Sequence, residues 1–194
     1  MKIIINIFLI LLIGLLAFML YSSIKEPIAF GEEKERRKAK VVKSLEDIRT
    51  TQEIYFKMTG EYAPSFDVLI NAMTNDSIPF VKLTNDPEDP QNSEKFIETI
   101  TYSPAIDSIR SLGIDLATLS KVPYANNLDF EITSDTMDYQ STNVWVTEVG
   151  TKWKNFMGEF ADPRFSKYDS KYDPNVTIKF GDMNKPSLAG SWSR

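Results

Sequence analysis

Residues 3–58 read IIINIFLILLIGLLAFMLYSSIKEPIAFGEEKERRKAKVVKSLEDIRTTQEIYFKM, and the division of this stretch decides the fold. From Ile3 to Tyr21 only Asn6 and Gly14 interrupt an apolar run. At about 1.5 Å per residue the run is roughly 29 Å long, the hydrocarbon thickness of a bilayer. A cleaved signal peptide has a shorter apolar core followed by a small-x-small site. The residues after this run, Tyr21-Ser22-Ser23-Ile24-Lys25, make a poor site, so an uncleaved anchor is expected.

Pro27 and Gly31 are expected to make a short break, after which Glu32 to Met58 reads as one amphipathic helix about 40 Å long. Val41, Leu45, Ile48 and Tyr55 keep one face, Gln52 fills the missing step, and Val42 and Phe56 widen the stripe. Glu32/Arg36, Glu33/Arg37 and Glu53/Lys57 place the acid four residues before the base, the order that supports a helix. Residues 32–40 are nearly all charged. They read either as a solvated stalk that holds a body off the membrane, or as a contact for a partner helix or anionic lipid through Arg36, Arg37 and Lys38.

Composition removes whole classes of chemistry. The chain has neither Cys nor His, so zinc sites of the usual kind, thiol nucleophiles, Ser-His-Asp triads and imidazole switches have no residues to work with. Six basic residues against one acid lie between Lys34 and Lys43, whereas 14 basic residues face 23 acidic ones beyond Ser44. An acidic body argues against nucleic acid as a partner, since phosphate neutralisation needs the opposite sign. Asp86, Glu88 and Asp89, and separately Asp162, Asp169 and Asp173, are acidic enough to suggest Ca²⁺, but neither set has EF-hand spacing. The eight glycines form no phosphate loop. No cofactor and no enzymatic activity are expected.

Gly60 is placed to stop the helix, and Ser65 to cap a second one, Phe66 to Met73, whose Leu69, Ile70 and Met73 fold back on the first. Past Asp76 the helical period is lost. Ile78 to Leu83, Phe96 to Tyr102, Leu128 to Thr133, Asn143 to Val149 and Val176 to Phe180 read as strands, with the fourth central and a loop at 86–93. A helical turn is expected near Ile106, Ile109 and Leu112, ended by Gly113. Four to six strands should form one antiparallel sheet packed on the spine helix. The connection from Gly150 to Pro174 is rich in aromatics, among them Trp153, Phe156, Phe160 and Tyr168. It reads as a lid over the sheet or as a recognition surface.

The stretch from Ile48 through Tyr55, Gly60 and Tyr62 to Phe66 and Leu69 resembles type IV pilins and pseudopilins, whose spine helix closes in an aromatic, a Gly-x-Tyr, a turn and a short apolar helix. The chain is also similar to short single-span envelope proteins of Bacteroidota. The pilin leader is missing: Gly14 is followed by Leu15, Leu16, Ala17, Phe18 and Met19, with no Glu at the fifth position.

The resemblance implies an α+β, pilin-like fold in which an anchor continues, or nearly continues, into a spine packed on an antiparallel sheet. It implies fold-defining roles for Tyr55, Gly60, Tyr62, Phe66 and Leu69. The expected organisation is an anchor at 1–24, spine and second helix at 25–75, a β-rich domain at 76–182 and a flexible tail at 183–194. The positive-inside count taken alone would leave the body cytoplasmic, with Lys25 and the basic run following the span. The short Lys-bearing N-terminus and the resemblance favour a single-pass inner-membrane protein with its body in the periplasm. The expected function is a non-enzymatic structural component of an envelope assembly. Its partners would be the lipid bilayer and other envelope proteins or copies of itself. An anchored peptide- or ligand-binding module and a filament-forming pilin are the alternatives.

Overall fold

The computed structural model describes residues 2–85 and 96–193. One helix, α1 (Lys2–Thr59), takes in the apolar run, Pro27 and the whole amphipathic segment. At 58 residues it is roughly 87 Å long. From Ile3 to Tyr21 every described side chain is exposed, and this end of the helix is long and apolar enough to cross a membrane.

The expected break at Pro27 and Gly31 does not occur. Proline removes one i→i−4 hydrogen bond, yet the helix is held on both sides of the defect: Glu26 is bound by three side chains of the body, and Phe30 is buried. The expected boundary at residue 24 therefore falls inside one continuous element.

The amphipathic stripe is buried as its spacing requires. Val41, Leu45, Ile48, Gln52 and Tyr55 all face the core. Gly60 ends the helix with φ +82° and donates its N–H to the Phe56 carbonyl. Tyr62 then packs its ring 4.7 Å from that of Phe56. Helix α2 (Phe66–Asn75) starts under a Ser65 cap, whose hydroxyl accepts from the Val68 N–H, and buries Leu69, Ala72 and Met73.

Among the described residues five strands form, but in two sheets rather than one. Strands β1 (Ser77–Asn85) and β2 (Phe96–Pro104) pair antiparallel as a two-stranded ribbon. The expected loop at 86–93, with Asp86, Glu88 and Asp89, lies outside the described residues. After α3 (Ala105–Ser111) and a turn at Gly113 (φ +70°), strands β3 (Glu131–Tyr139), β4 (Thr142–Lys152) and β5 (Thr177–Gly181) form an antiparallel sheet in the order β3-β4-β5. The central position of β4 agrees with its apolar residues on both faces.

Strand β3 lies later than its pattern suggests. Leu128 is exposed and Asp129 makes only an isolated bridge to Lys121, across a turn in which Tyr124, Asn126 and Asn127 lie in the left-handed region. The strand instead runs through polar residues to a two-residue hairpin at Gln140 and Ser141, both with positive φ. Such turns match strand twist, so turn geometry defines this strand where hydrophobic alternation does not.

One core cluster joins α1, α2, α3 and the three-stranded sheet, with Val149, Ile178 and Phe180 from the sheet among its buried members. The last segment is not a free tail. Gly190 bridges to Phe180, the Ser191 hydroxyl accepts from the Lys179 N–H at 3.0 Å, and Trp192 packs half-buried against the core.

Candidate functional site

The aromatic connection and the charged part of α1 are two halves of one junction. Between β4 and β5 the chain forms α4 (Trp153–Met157) and two short 3-10 turns, Gly158–Phe160 and Pro163–Lys167. This connection lies on the face of α1 that carries Glu26, Phe30, Lys34 and Arg37, residues four, four and three apart. Phe30 is the centre. Its ring stacks on Phe165 at 5.3 Å and meets Tyr172 edge-on at 5.0 Å, with Phe160 and Tyr168 at 6.0 and 6.3 Å. The Tyr172 phenol donates to the Phe160 carbonyl at 2.7 Å, and burial, with Asp173 and Asp162 nearby, pushes its pKa up to about 12.

Polar contacts flank this ring cluster along the helix. On the anchor side, Glu26 accepts from the Tyr168 hydroxyl and pairs with Arg164 at 3.2 Å and Lys167 at 3.6 Å. The Tyr168 hydrogen bond, ahead of the two cations, lowers the Glu26 pKa. On the other side the Lys34 ammonium meets Asp169 at 2.5 Å, and Arg37 donates from one terminal nitrogen to the Phe156 carbonyl at 2.6 Å. Glu33 accepts from Arg36 and Arg37, and those bonds hold its carboxyl down at about 2.

These contacts correct the solvated-stalk reading on one face of residues 32–40: Lys34 and Arg37 are held by the body, while Glu32, Glu35, Arg36, Ala39 and Lys40 stay exposed. Long Lys and Arg stems cover apolar surface while their charged ends find partners, so a densely charged segment can pack without burying a bare charge. Glu26 lies only five residues past Tyr21, a rise of roughly 8 Å. The body therefore adjoins the apolar end of α1 directly.

The residues expected to meet a partner separate accordingly. Arg36 is exposed, and Lys38 partly so. Arg37 is drawn inward to Glu33 and Phe156, with its guanidinium 5.1 Å from the Tyr124 ring centre. Phe156 is fully buried and offers no surface, a correction to its expected exposure. Phe160 and Tyr168 are half-buried members of the Phe30 cluster. Trp153 is half-buried on the wall of a cleft.

That cleft, of about 240 Å³, is lined by Trp153, Tyr172 and Trp192 with Lys34, Lys38 and Lys171 around it. Sequence reasoning missed Glu26, Phe30 and Lys34 in these roles. The helical spacing of 26, 30, 34 and 37 was readable, but their partners lie more than a hundred positions away.

The acidic residues of the connection serve the chain itself. The carboxylates of Asp162, Asp169 and Asp173 each accept from a backbone N–H two residues on, at 2.8 to 2.9 Å. Among the described residues no three acids gather where they could hold a metal ion. Compared with known proteins, the chain matches no family model, no curated protein and no solved structure.

Proposed function

We propose that the protein is a membrane-anchored, non-enzymatic structural component of a multi-protein cell-envelope assembly, with a pilin- or pseudopilin-like body on the periplasmic side of the inner membrane. The observation that carries this reading is the continuity of α1. The same helix that is bare and apolar from Ile3 to Tyr21 runs unbroken into the core, and the body grips it from Glu26 onward. A body held in this way presents one fixed orientation to whatever lies beside it, which suits a positional role.

The β1–β2 ribbon supplies a surface for that role. Val81 and Ile100 are cross-strand partners, and Pro79 and Tyr102 lie two residues along on the same face. Val81, Ile100 and Tyr102 are 58%, 57% and 66% exposed, so this face is apolar and uncovered.

The reading is tested by placing a photoreactive residue at Ile100 and, as a control, at Asp67 on α2, then irradiating intact cells. A discrete cross-linked product from position 100 alone, containing a second envelope protein or a second copy of this chain, is expected. Equal products from both positions, or none from either, would overturn the reading. Proteinase K digestion of the body in intact against lysed spheroplasts checks sidedness.

A further inference from the structure

We propose that the cleft between α1, the aromatic connection and residues 190–192 binds a small organic anion, an acidic group carried on a single ring. This goes beyond the assembly reading and holds whether or not the body has protein partners.

The walls are formed before any ligand arrives. Trp153 packs 5.2 Å from Phe156 and meets Tyr172 edge-on at 5.8 Å. On the other side Trp192 lies over Gly190, where a Cβ would come within 2.4 Å of the indole, and the Ser191 hydroxyl ties this segment to β5. Ile178 and Val176 complete the apolar lining. Trp153, Tyr172 and Trp192 thus line one space, and the two half-buried indoles leave surface there for a ring to lie against with little reorganisation.

The charge at this space is positive after its acids are counted. Asp169 is the acid of the lining, and its carboxylate takes the Lys34 ammonium at 2.5 Å and the Lys171 N–H at 2.9 Å. Glu35, outside the lining, lies 3.2 Å from Lys34 and 4.0 Å from Lys38. The Lys171 ammonium is near enough to Asp169 to help lower the pKa of that carboxyl. Three ammonium groups, those of Lys34, Lys38 and Lys171, thus stand at the cleft against the two carboxylates of Asp169 and Glu35, one positive charge in excess.

Size sets the class of ligand. A space of about 240 Å³ holds roughly eight waters at the volume each occupies in the liquid, which is close to one substituted ring. It is too small for a peptide segment with side chains or for a second helix.

The test uses the full chain in detergent micelles, with sodium glucuronate and sodium benzoate as ring acids and glucose and acetate as probes lacking the charge or the ring. Saturation-transfer NMR and tryptophan fluorescence are read together, since two of the three tryptophans line the cleft. Saturable binding of at least one ring acid is expected, with glucose and acetate weaker by about tenfold each. The double substitution Lys38→Gln, Lys171→Gln should weaken the ring acid by about tenfold while leaving the near-UV circular dichroism unchanged. Preference for glucuronate would assign a saccharide acid, and preference for benzoate an aryl acid. Absence of saturable binding by either, or equal binding by the double variant, would overturn the proposal.

Discussion

The side-chain amide of Gln52 and the backbone of Ala63 exchange two hydrogen bonds, from Nε2 to the Ala63 carbonyl at 3.0 Å and from the Ala63 N–H to Oε1 at 2.9 Å. Gln52 sits in the middle of the buried stripe of α1, and Ala63 lies in the turn that returns the chain from it. The Ser134 hydroxyl lies 3.0 Å from the same carbonyl and 2.8 Å from the hydroxyl of Thr147, so the node links helix, turn and the β3–β4 pair.

Replacing Gln52 with Leu keeps the volume but leaves the Ala63 N–H buried without a partner, at a cost of about 2–3 kcal/mol in denaturant unfolding of the full chain in detergent. Gln52→Glu is the sharper case. At neutral pH the carboxylate accepts from the N–H but faces the Ala63 carbonyl with no proton to offer. Burial and that carbonyl both raise the pKa of the introduced acid, so stability should recover as pH falls through it. A variant whose deficit is the same at pH 5 and pH 8 would refute the donor role.

Phe30→Ala should cost about 3–5 kcal/mol, since it removes the ring against which four others pack. The loss should be local at first. Trypsin is expected to cut at Arg164 and Lys167 many times faster than in the parent chain, while amide exchange in β3, β4 and β5 changes less. Uniform loosening of both regions would show that the junction and the sheet open as one unit.

Acid should loosen the junction before it unfolds the body. The Glu33 carboxyl is held at about 2, by hydrogen bonds from Arg36 and then Arg37, against an ordinary value of 4.5. A carboxyl lowered in the folded state contributes its stabilisation fully above about 4.5 and loses it as pH falls toward 2. Glu26 is lowered too, by Tyr168 first, and acts in the same direction. Protection factors across residues 153–168, taken against the intrinsic exchange rate at each pH, should therefore fall between pH 4.5 and 2, and Glu33→Gln should flatten part of that fall. An unchanged profile in the variant would separate Glu33 from the transition.

Two glycines with nearly equal φ should respond differently to Ala. Gly60 has open space where a Cβ would go, so Gly60→Ala carries only the cost of a left-handed residue, about 1–2 kcal/mol. At Gly181 a Cβ would stand 1.9 Å from the Thr147 carbonyl oxygen. Backbone cannot move aside as a side chain does, so Gly181→Ala should cost clearly more than Gly60→Ala and disturb the β4–β5 pairing. Thermal unfolding of the two variants side by side checks the order.

Period and punctuation alone determined much of this protein. The apolar run, the stripe from Val41 to Tyr55, the Gly60 stop, the Ser65 cap and the central strand β4 are all properties of neighbouring residues, and local spacing shows them. The absence of Cys and His excluded chemistries before any fold was known. Tertiary structure decided what depends on residues far apart in the chain. Pro27 stays helical because Glu26 and Phe30 are held from the other half of the chain, the charged run packs because Asp169 and the Phe156 carbonyl receive Lys34 and Arg37, and the last residues dock because Trp192 finds Gly190 and the core. Pair energies of that kind belong to a contact and not to either residue, so no window along the sequence contains them.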